Sequence, residues 1–311
     1  VAMADWHLAK VAEQIRALNA DVFCLQEVES CEMVTRLAQN LTGLGYKGYL
    51  VPGTDTFTNQ NVALLTKLDP VMDLKRDSLR ANYPVAGSTC ASATAGDTSV
   101  SKFFYTKFVV SNTNLWMVCQ HLKSGGSASD CNQREAQASV IATVLKQNVL
   151  PQDAVVSLGD FNDFSETWPD QDPYSSTPTN RTVTGQTLKI EREYTTPPLR
   201  DAMQYIPRAT RYTSAIGMID HIQISQNLTG RLNSAGTFVL HGDWGRTAAN
   251  RISNGYSDHF PFQVTFNFPA VVMAQHPCTE PICYGTSGYS EYWRGELPLI
   301  ISAPHGGFET P

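Results

Sequence analysis

Five short clusters in this 311-residue chain place carboxylates, amides and imidazoles next to apolar runs. In chain order they are Leu25-Gln26-Glu27, Gln120-His121-Leu122-Lys123-Ser124-Gly125, Ser157-Leu158-Gly159-Asp160-Phe161-Asn162-Asp163, Met218-Ile219-Asp220-His221-Ile222 and Ser257-Asp258-His259-Phe260-Pro261. Glu27, at a strand end, offers a hard oxygen ligand to a divalent cation, or else a carboxylate for the start of the helix after Ser30. His121 can donate to a phosphate oxygen, although a lone His is commonly structural. Asp160 and Asn162 follow a turn that Gly159 permits. Together they can hold a hydrated metal ion and a phosphate oxygen, or simply form an Asx-rich turn. A charge at Asp220, inside an apolar strand, is costly unless paired, and a His is its natural partner. The alternative for that cluster is a surface strand with alternating faces, which suits His221 better than Asp220. Asp258 can ligate a metal while His259 faces the same cavity.

The surrounding pattern supplies the elements that must carry these clusters. Apolar residues at Val11, Ala12, Ile15 and Leu18 have helical spacing over 8–18, as do Val34, Leu37, Ala38 and Leu41 over 31–44. Residues 132–148 are also helical. Strands are expected at 21–26, 46–51, 61–66, 154–158, 235–240 and 260–268. A hairpin is expected from 103–110 and 114–120 around Ser111-Asn112-Thr113, and two short strands over 211–225 about Ala215-Ile216-Gly217. Residues 79–100 read as a loop and 165–187 as an excursion. Helices and strands alternate early and strands dominate late, which implies mixed sheets covered by helices. No 20–50-residue repeat and no low-complexity tract is present.

Composition narrows the class. Apolar residues make up 42% of the chain, enough for a substantial core. Lys and Arg number 23 against 29 Asp and Glu, a net charge of −6, so no global basic field is available for gripping nucleic acid. This does not exclude brief contact with a phosphodiester through a metal. No run of roughly 18 apolar residues exists to span a membrane. The chain opens at Val1, close to a helix, and ends in mid-pattern at Pro311, and is expected to be a fragment or a processed chain. The seven cysteines match no zinc spacing. Cys24 reads as a buried thiol, whereas Cys90 and Cys131, in polar loops, are candidates for a disulfide. With sequons at Asn40, Asn180 and Asn227, this leans the compartment towards secreted or extracytoplasmic.

Over residues 8–268 the five clusters, in this order, make the chain resemble the endonuclease/exonuclease/phosphatase superfamily, the fold of deoxyribonuclease-I-like nucleases, neutral sphingomyelinases and inositol polyphosphate 5-phosphatases. The resemblance implies a four-layer α/β sandwich, two packed mixed sheets flanked by helices, with the site at one end. It implies Glu27 as ligand of a Mg²⁺ (or Mn²⁺) cofactor, with Asp258 helping to hold it. Asp160 and Asn162 would orient the attacking water and the phosphate. His259 would be the general base, oriented by Asp220, and His121 would donate to a phosphoryl oxygen or assist the leaving group. The family's usual first strand, which bears an Asn serving the metal site, is absent from this chain, so 1–268 is expected to be an N-terminally truncated domain. Residues 269–311 are expected to be a linker and the start of a second domain. There, 296–307 looks like the opening of an N-formylglutamate amidohydrolase-like domain.

The expected activity is metal-dependent phosphodiester hydrolysis, by a nuclease binding nucleic acid transiently. The alternatives are a phosphomonoesterase or sphingomyelinase-type enzyme acting on inositol phosphates or lipids, and a binding module that has lost catalysis. The sequence leaves the oligomeric state open.

Overall fold

The computed structural model describes residues 2–170, 185–237, 257–269 and 297–301. Its elements, in chain order, are α1 (Ala2–Leu18), β1 (Val22–Val28), α2 (Cys31–Asn40), β2 (Lys47–Leu50), β3 (Asn61–Thr66), β4 (Met72–Lys75), β5 (Arg80–Tyr83), β6 (Gly96–Ser99), β7 (Lys102–Val110), β8 (Thr113–His121), α3 (Ala128–Asn148), β9 (Ala154–Asp160), α4 (Thr187–Arg192), β10 (Arg200–Asp201), β11 (Asp220–Ile224), α5 (Gln226–Thr229), β12 (Leu232–Thr237), β13 (Phe262–Phe266) and β14 (Leu297–Ile301).

Among the described residues the strands form two six-stranded sheets and a separate two-stranded ribbon, β5–β6. The first sheet has the order β12-β13-β14-β1-β3-β2 and the second β10-β11-β9-β8-β7-β4. Three apolar layers show how they stack. Val22, Cys24 and Leu64 of the first sheet meet Phe104, Met117, Val156 and Ile222 of the second. The other face of the first sheet, with Phe23, Leu25, Ala63 and Leu65, is covered by Leu8, Val11, Ala12 and Ile15 of α1 and by Val34 and Leu37 of α2. The other face of the second, with Tyr105, Trp116, Val118 and Val155, is covered by Val140, Ile141 and Val144 of α3 and Leu188 of α4. The period-two alternation of each central strand thus feeds two apolar layers at once. This is the four-layer α/β sandwich the resemblance implied.

Helix ends follow local chemistry. Ser30 Oγ accepts the Met33 amide at 3.3 Å and caps α2. Ser127 and Asp130 form a reciprocal capping box at the start of α3.

Several expectations change. The 79–100 stretch is not all loop: its polar residues pair as β5 and β6. Residues 211–225 yield one strand, β11, and a lone bridge between Ser214 and Gly217. Cys24 is not a thiol but is bonded to Cys119, tying β1 of one sheet to β8 of the other. The expected Cys90–Cys131 bond is present, with Cys131 on the first turn of α3 rather than in a loop. Cys31 is free and exposed, and Cys278 and Cys283 lie outside the described residues. The stretch expected to be linker and second domain is described only at Pro269 and 297–301. Those five residues pair as β14 into the first sheet, antiparallel to β13 and parallel to β1. Apolar, partly β-branched residues at 299–301 suit a strand, and Pro298, which has no amide hydrogen, stands opposite Thr265. No described helix is long and apolar enough to cross a membrane.

Candidate active site

Strand register lays out the site. Asp220 of β11 pairs with Asp160 of β9, Asp160 with His121 of β8, and His121 with Lys102 of β7. Register partners share a face. Leu158 and Ile222, two residues from Asp160 and Asp220, point into the layer between the sheets. The polar row therefore ends that layer at one rim of the sandwich. Asp160 is sealed from solvent, and Asp220 and His121 are nearly so.

The turn after β9 needs its glycine. Gly159 has φ +136°, and a Cβ there would fall 1.9 Å from the Gln120 carbonyl oxygen. Asn162 adopts φ +51°. The Asp160 carboxylate compensates by accepting the Asn162 amide at 2.7 Å, and Asn162 Nδ2 donates to the Leu122 carbonyl at 3.1 Å. The turn after β9 is thus fastened to the segment after His121.

Glu27 is presented by a bulge. The β1–β3 register runs Leu25↔Ala63 and then Val28↔Asn61, and Glu27 adopts φ +56°. Such bulges break the alternation of faces and re-aim a side chain. Asn61 Nδ2 holds the bulge by donating to the Val28 and Glu29 carbonyls at 3.1 and 3.2 Å. Its Oδ1 accepts the Gly53 amide, and the neighbouring Thr54 amide bonds Ser101, next to Lys102 in the polar row. The Cys24–Cys119 bond, three residues before Glu27 and two before His121, joins the sheets just behind the rim.

His259 arrives on the segment before β13. Its Nδ1 lies 2.6 Å from Asp220 Oδ2, and both side chains are buried. An ionised carboxylate only accepts, so Nδ1 carries the proton and Nε2 of the neutral ring is left basic. Thr213 fastens the pair: its Oγ1 accepts the Asp220 amide at 3.1 Å and its carbonyl accepts the Phe260 amide at 2.6 Å. The buried partner expected for Asp220 is thus His259. His121 Nε2 stands 3.7 Å from Asp160 Oδ2, an electrostatic approach too long for a hydrogen bond.

One ligand atom from each of Asp160, Asp220 and His259 lies within 4.8 Å of the others. Neither expected metal ligand, Glu27 or Asp258, belongs to that trio. Asp258 does have a buried Oδ1 without a hydrogen-bond partner. A buried carboxylate oxygen of that kind suits a hard divalent cation.

His221 is not on a surface face. It is fully buried against the outer layer, with Nδ1 3.3 Å from Asp201 Oδ2 and Nε2 donating to the Asp163 carbonyl at 3.0 Å. Burial pushes its pKa down, but the Asp201 carboxylate and these contacts outweigh that and hold it above the ordinary value. Nearby, burial lifts Glu191 to about 7 against hydrogen bonds from Ser157 and Gln120. This second titratable group was not foreseen. Its signal, alternate polar residues Gln120, Ser157, His221 and Gln223 on the outer face of three paired strands, is visible only once the register is known.

Comparison with known proteins agrees with this fold. No curated protein sequence matches the chain significantly. Its fold is similar to that of an AP endonuclease from Archaeoglobus fulgidus (TM-score 0.55, 14% identity, 84% of this chain and 94% of that one). It is similar to beta toxin from Staphylococcus aureus (TM-score 0.55, 15% identity, 84% and 92%). It is also similar to an endonuclease/exonuclease/phosphatase family protein from Leptotrichia buccalis C-1013-b (TM-score 0.52, 14% identity, 84% and 93%). The Endonuclease/Exonuclease/phosphatase family model matches residues 6–259, a span that begins in α1 and closes on His259. With the sandwich, the polar rim and that match in agreement, the chain belongs to the Endonuclease/Exonuclease/phosphatase family.

Proposed function

We propose that this chain is a divalent-metal-dependent phosphodiester hydrolase of the nuclease type, using Mg²⁺ or Mn²⁺. The observation that carries the reading is the buried His259–Asp220 pair, which forms one compact group with Asp160. Asp220 fixes the tautomer of His259 and stabilises the imidazolium formed when His259 takes a proton from water. Asp160 and Asn162, locked by their shared turn, orient that water and the phosphoryl group. His121, held beside Asp160, donates to a phosphoryl oxygen or to the leaving group. Glu27 and Asp258 hold the cation. When bound, the metal neutralises phosphoryl oxygen charge and makes phosphorus more electrophilic. The substrate is a phosphate ester bound transiently at the rim, in keeping with a net charge of −6. Two disulfides among the described residues support a secreted or extracytoplasmic setting.

The test is a panel of plasmid DNA, sphingomyelin and inositol phosphates, each with Mg²⁺, with Mn²⁺ and with chelator. The expected result is nicking of DNA that chelator abolishes. Turnover of only the lipid or the inositol phosphates would move the assignment to the phosphomonoesterase or sphingomyelinase branch. No turnover of any ester would mark a binding module.

A further inference from the structure

Behind the polar row, on the side of the second sheet that faces α3, a buried ion pair connects the two segments that follow His121 and Asp160. Arg134 of α3 lies with its Nε 3.5 Å from Asp163 Oδ2, and both side chains are only 6% exposed. The same guanidinium reaches the other loop: Nη1 donates to the Gly125 carbonyl at 2.7 Å and to the Lys123 carbonyl at 3.1 Å. Asp163 is held from further directions. Thr187 Oγ1 donates to Oδ2 at 2.6 Å, the Phe164 amide to Oδ1 at 3.0 Å, and His221 Nε2 to the main-chain carbonyl at 3.0 Å. Gly185 presses on the same place, since a Cβ there would come 2.9 Å from Cys131 Sγ and 3.2 Å from Asp163 Oδ2. An Arg buried to this degree is uncommon unless its charge and planar donor fork are both used. Here the fork spans residues 123–125 and Asp163, while Asn162 joins the same two loops in front through the Leu122 carbonyl.

We propose that Arg134 and Asp163 form a clamp of positioning residues that sets His121 against Asp160 for the reaction. Neither residue touches the reacting atoms. The proposal rests on the phosphodiesterase reading for its catalytic consequence, but not for its structural one. With the clamp intact, the 121–125 and 160–163 loops hold one spacing. Without it, the front contacts, Asn162 Nδ2 to the Leu122 carbonyl and the Leu122 amide to the Asp160 carbonyl at 2.9 Å, must hold the two segments, and a misplacement of an ångström in a reacting group is costly in rate.

The purified whole chain, as the wild type and as Arg134→Leu, Arg134→Lys, Asp163→Asn and the Arg134→Leu/Asp163→Asn double variant, is assayed with Mg²⁺ on the ester that the wild type cleaves best. Amide hydrogen exchange over 121–125 and 160–164 is measured alongside. The expected result for Arg134→Leu is a kcat lower by about 10- to 100-fold at nearly constant KM, with faster exchange in both segments. Arg134→Lys, which keeps the charge but not the fork, should recover part of the rate. The double variant should be no worse than the worse single one, because both remove the same link. If Arg134→Leu fails to fold, Thr187→Val removes one bond to Asp163 while sparing the ion pair, and a smaller rise in exchange over the 160–164 segment is then expected. Exchange unchanged in both segments of every folded variant, or a kcat within about twofold of wild type in a folded Arg134→Leu, would overturn the clamp. A wild type that cleaves none of the esters would instead overturn the phosphodiesterase reading, and the exchange data would still decide the clamp.

Discussion

Two adjacent residues of β11 each join a histidine–aspartate pair, and the pairs differ in what surrounds them. Asp220 turns inward to the layer between the sheets and meets His259 at 2.6 Å, on the rim of the sandwich. His221 turns the other way and meets Asp201 at 3.3 Å, with both side chains fully sealed. In the first pair the Asp220 carboxylate engages Nδ1 of His259. The second spends Nδ1 on Asp201 and Nε2 on the Asp163 carbonyl, leaving nothing for a substrate. On the proposed function, the same two residue types therefore give a base in one place and a structural strut in the other. The difference lies in which face of β11 each residue occupies: Asp220 faces the layer between the sheets at its rim, and His221 the sealed outer layer.

The sharpest way to break this contrast is to neutralise the two carboxylates in parallel. Asp220→Asn should lower kcat by roughly 10²- to 10⁴-fold, since the tautomer and imidazolium support are lost. Asp201→Asn should leave kcat within about tenfold and show its effect in the melting temperature instead. Equal losses of kcat in both would show that the sealed pair also takes part in catalysis.

The next effect is on stability. His221→Ala leaves Asp201 buried without its imidazole partner, and loss of one partner of a buried pair costs up to roughly 3–5 kcal/mol. Urea unfolding should register that loss, and an unchanged midpoint would remove the strut interpretation.

A smaller, pH-dependent effect sharpens the same point. Burial lifts Glu191 from 4.5 to about 7. Its protonated form is therefore favoured in the folded state, and folding takes up a proton between those two values. Its burial costs nothing below the lower one. The cost grows as pH rises through the window and is complete above the upper one. Glu191→Gln should thus raise the melting temperature by several degrees near pH 8, with an upper limit of about 3 kcal/mol, and change it little near pH 5. A gain of equal size at both pH values would contradict the burial account.

Much of this arrangement was legible because it is local. The β7–β8 hairpin follows from alternating apolar residues around an Asn-containing turn, and Ser111 and Asn112 do adopt positive φ. Asp220 announced its need for a buried partner because a lone carboxylate in an apolar strand is too costly to stand alone. What stayed hidden depends on distant packing. Whether His221 faces solvent is decided by Asp201 and the α4 region, and the α4 region follows an excursion the sequence leaves unstructured. Cys24 and Cys119 are 95 residues apart in different sheets, so nothing near either one signals a bond. The bulge at Glu27 is a mismatch between two strands, and neither strand alone shows it. The polar strands β5 and β6 lack apolar alternation, and β14 is separated from the rest of its sheet by a long stretch of chain.

The central claim is that His259, held by Asp220, is the base of a metal-dependent phosphodiesterase. The most direct measurement is Mg²⁺-supported plasmid nicking by His259→Ala beside wild type, with melting temperatures taken on the same samples. The expected result is a turnover lower by at least about 100-fold in a variant that still melts cooperatively close to wild type. Turnover equal to wild type in a folded His259→Ala protein would contradict the account.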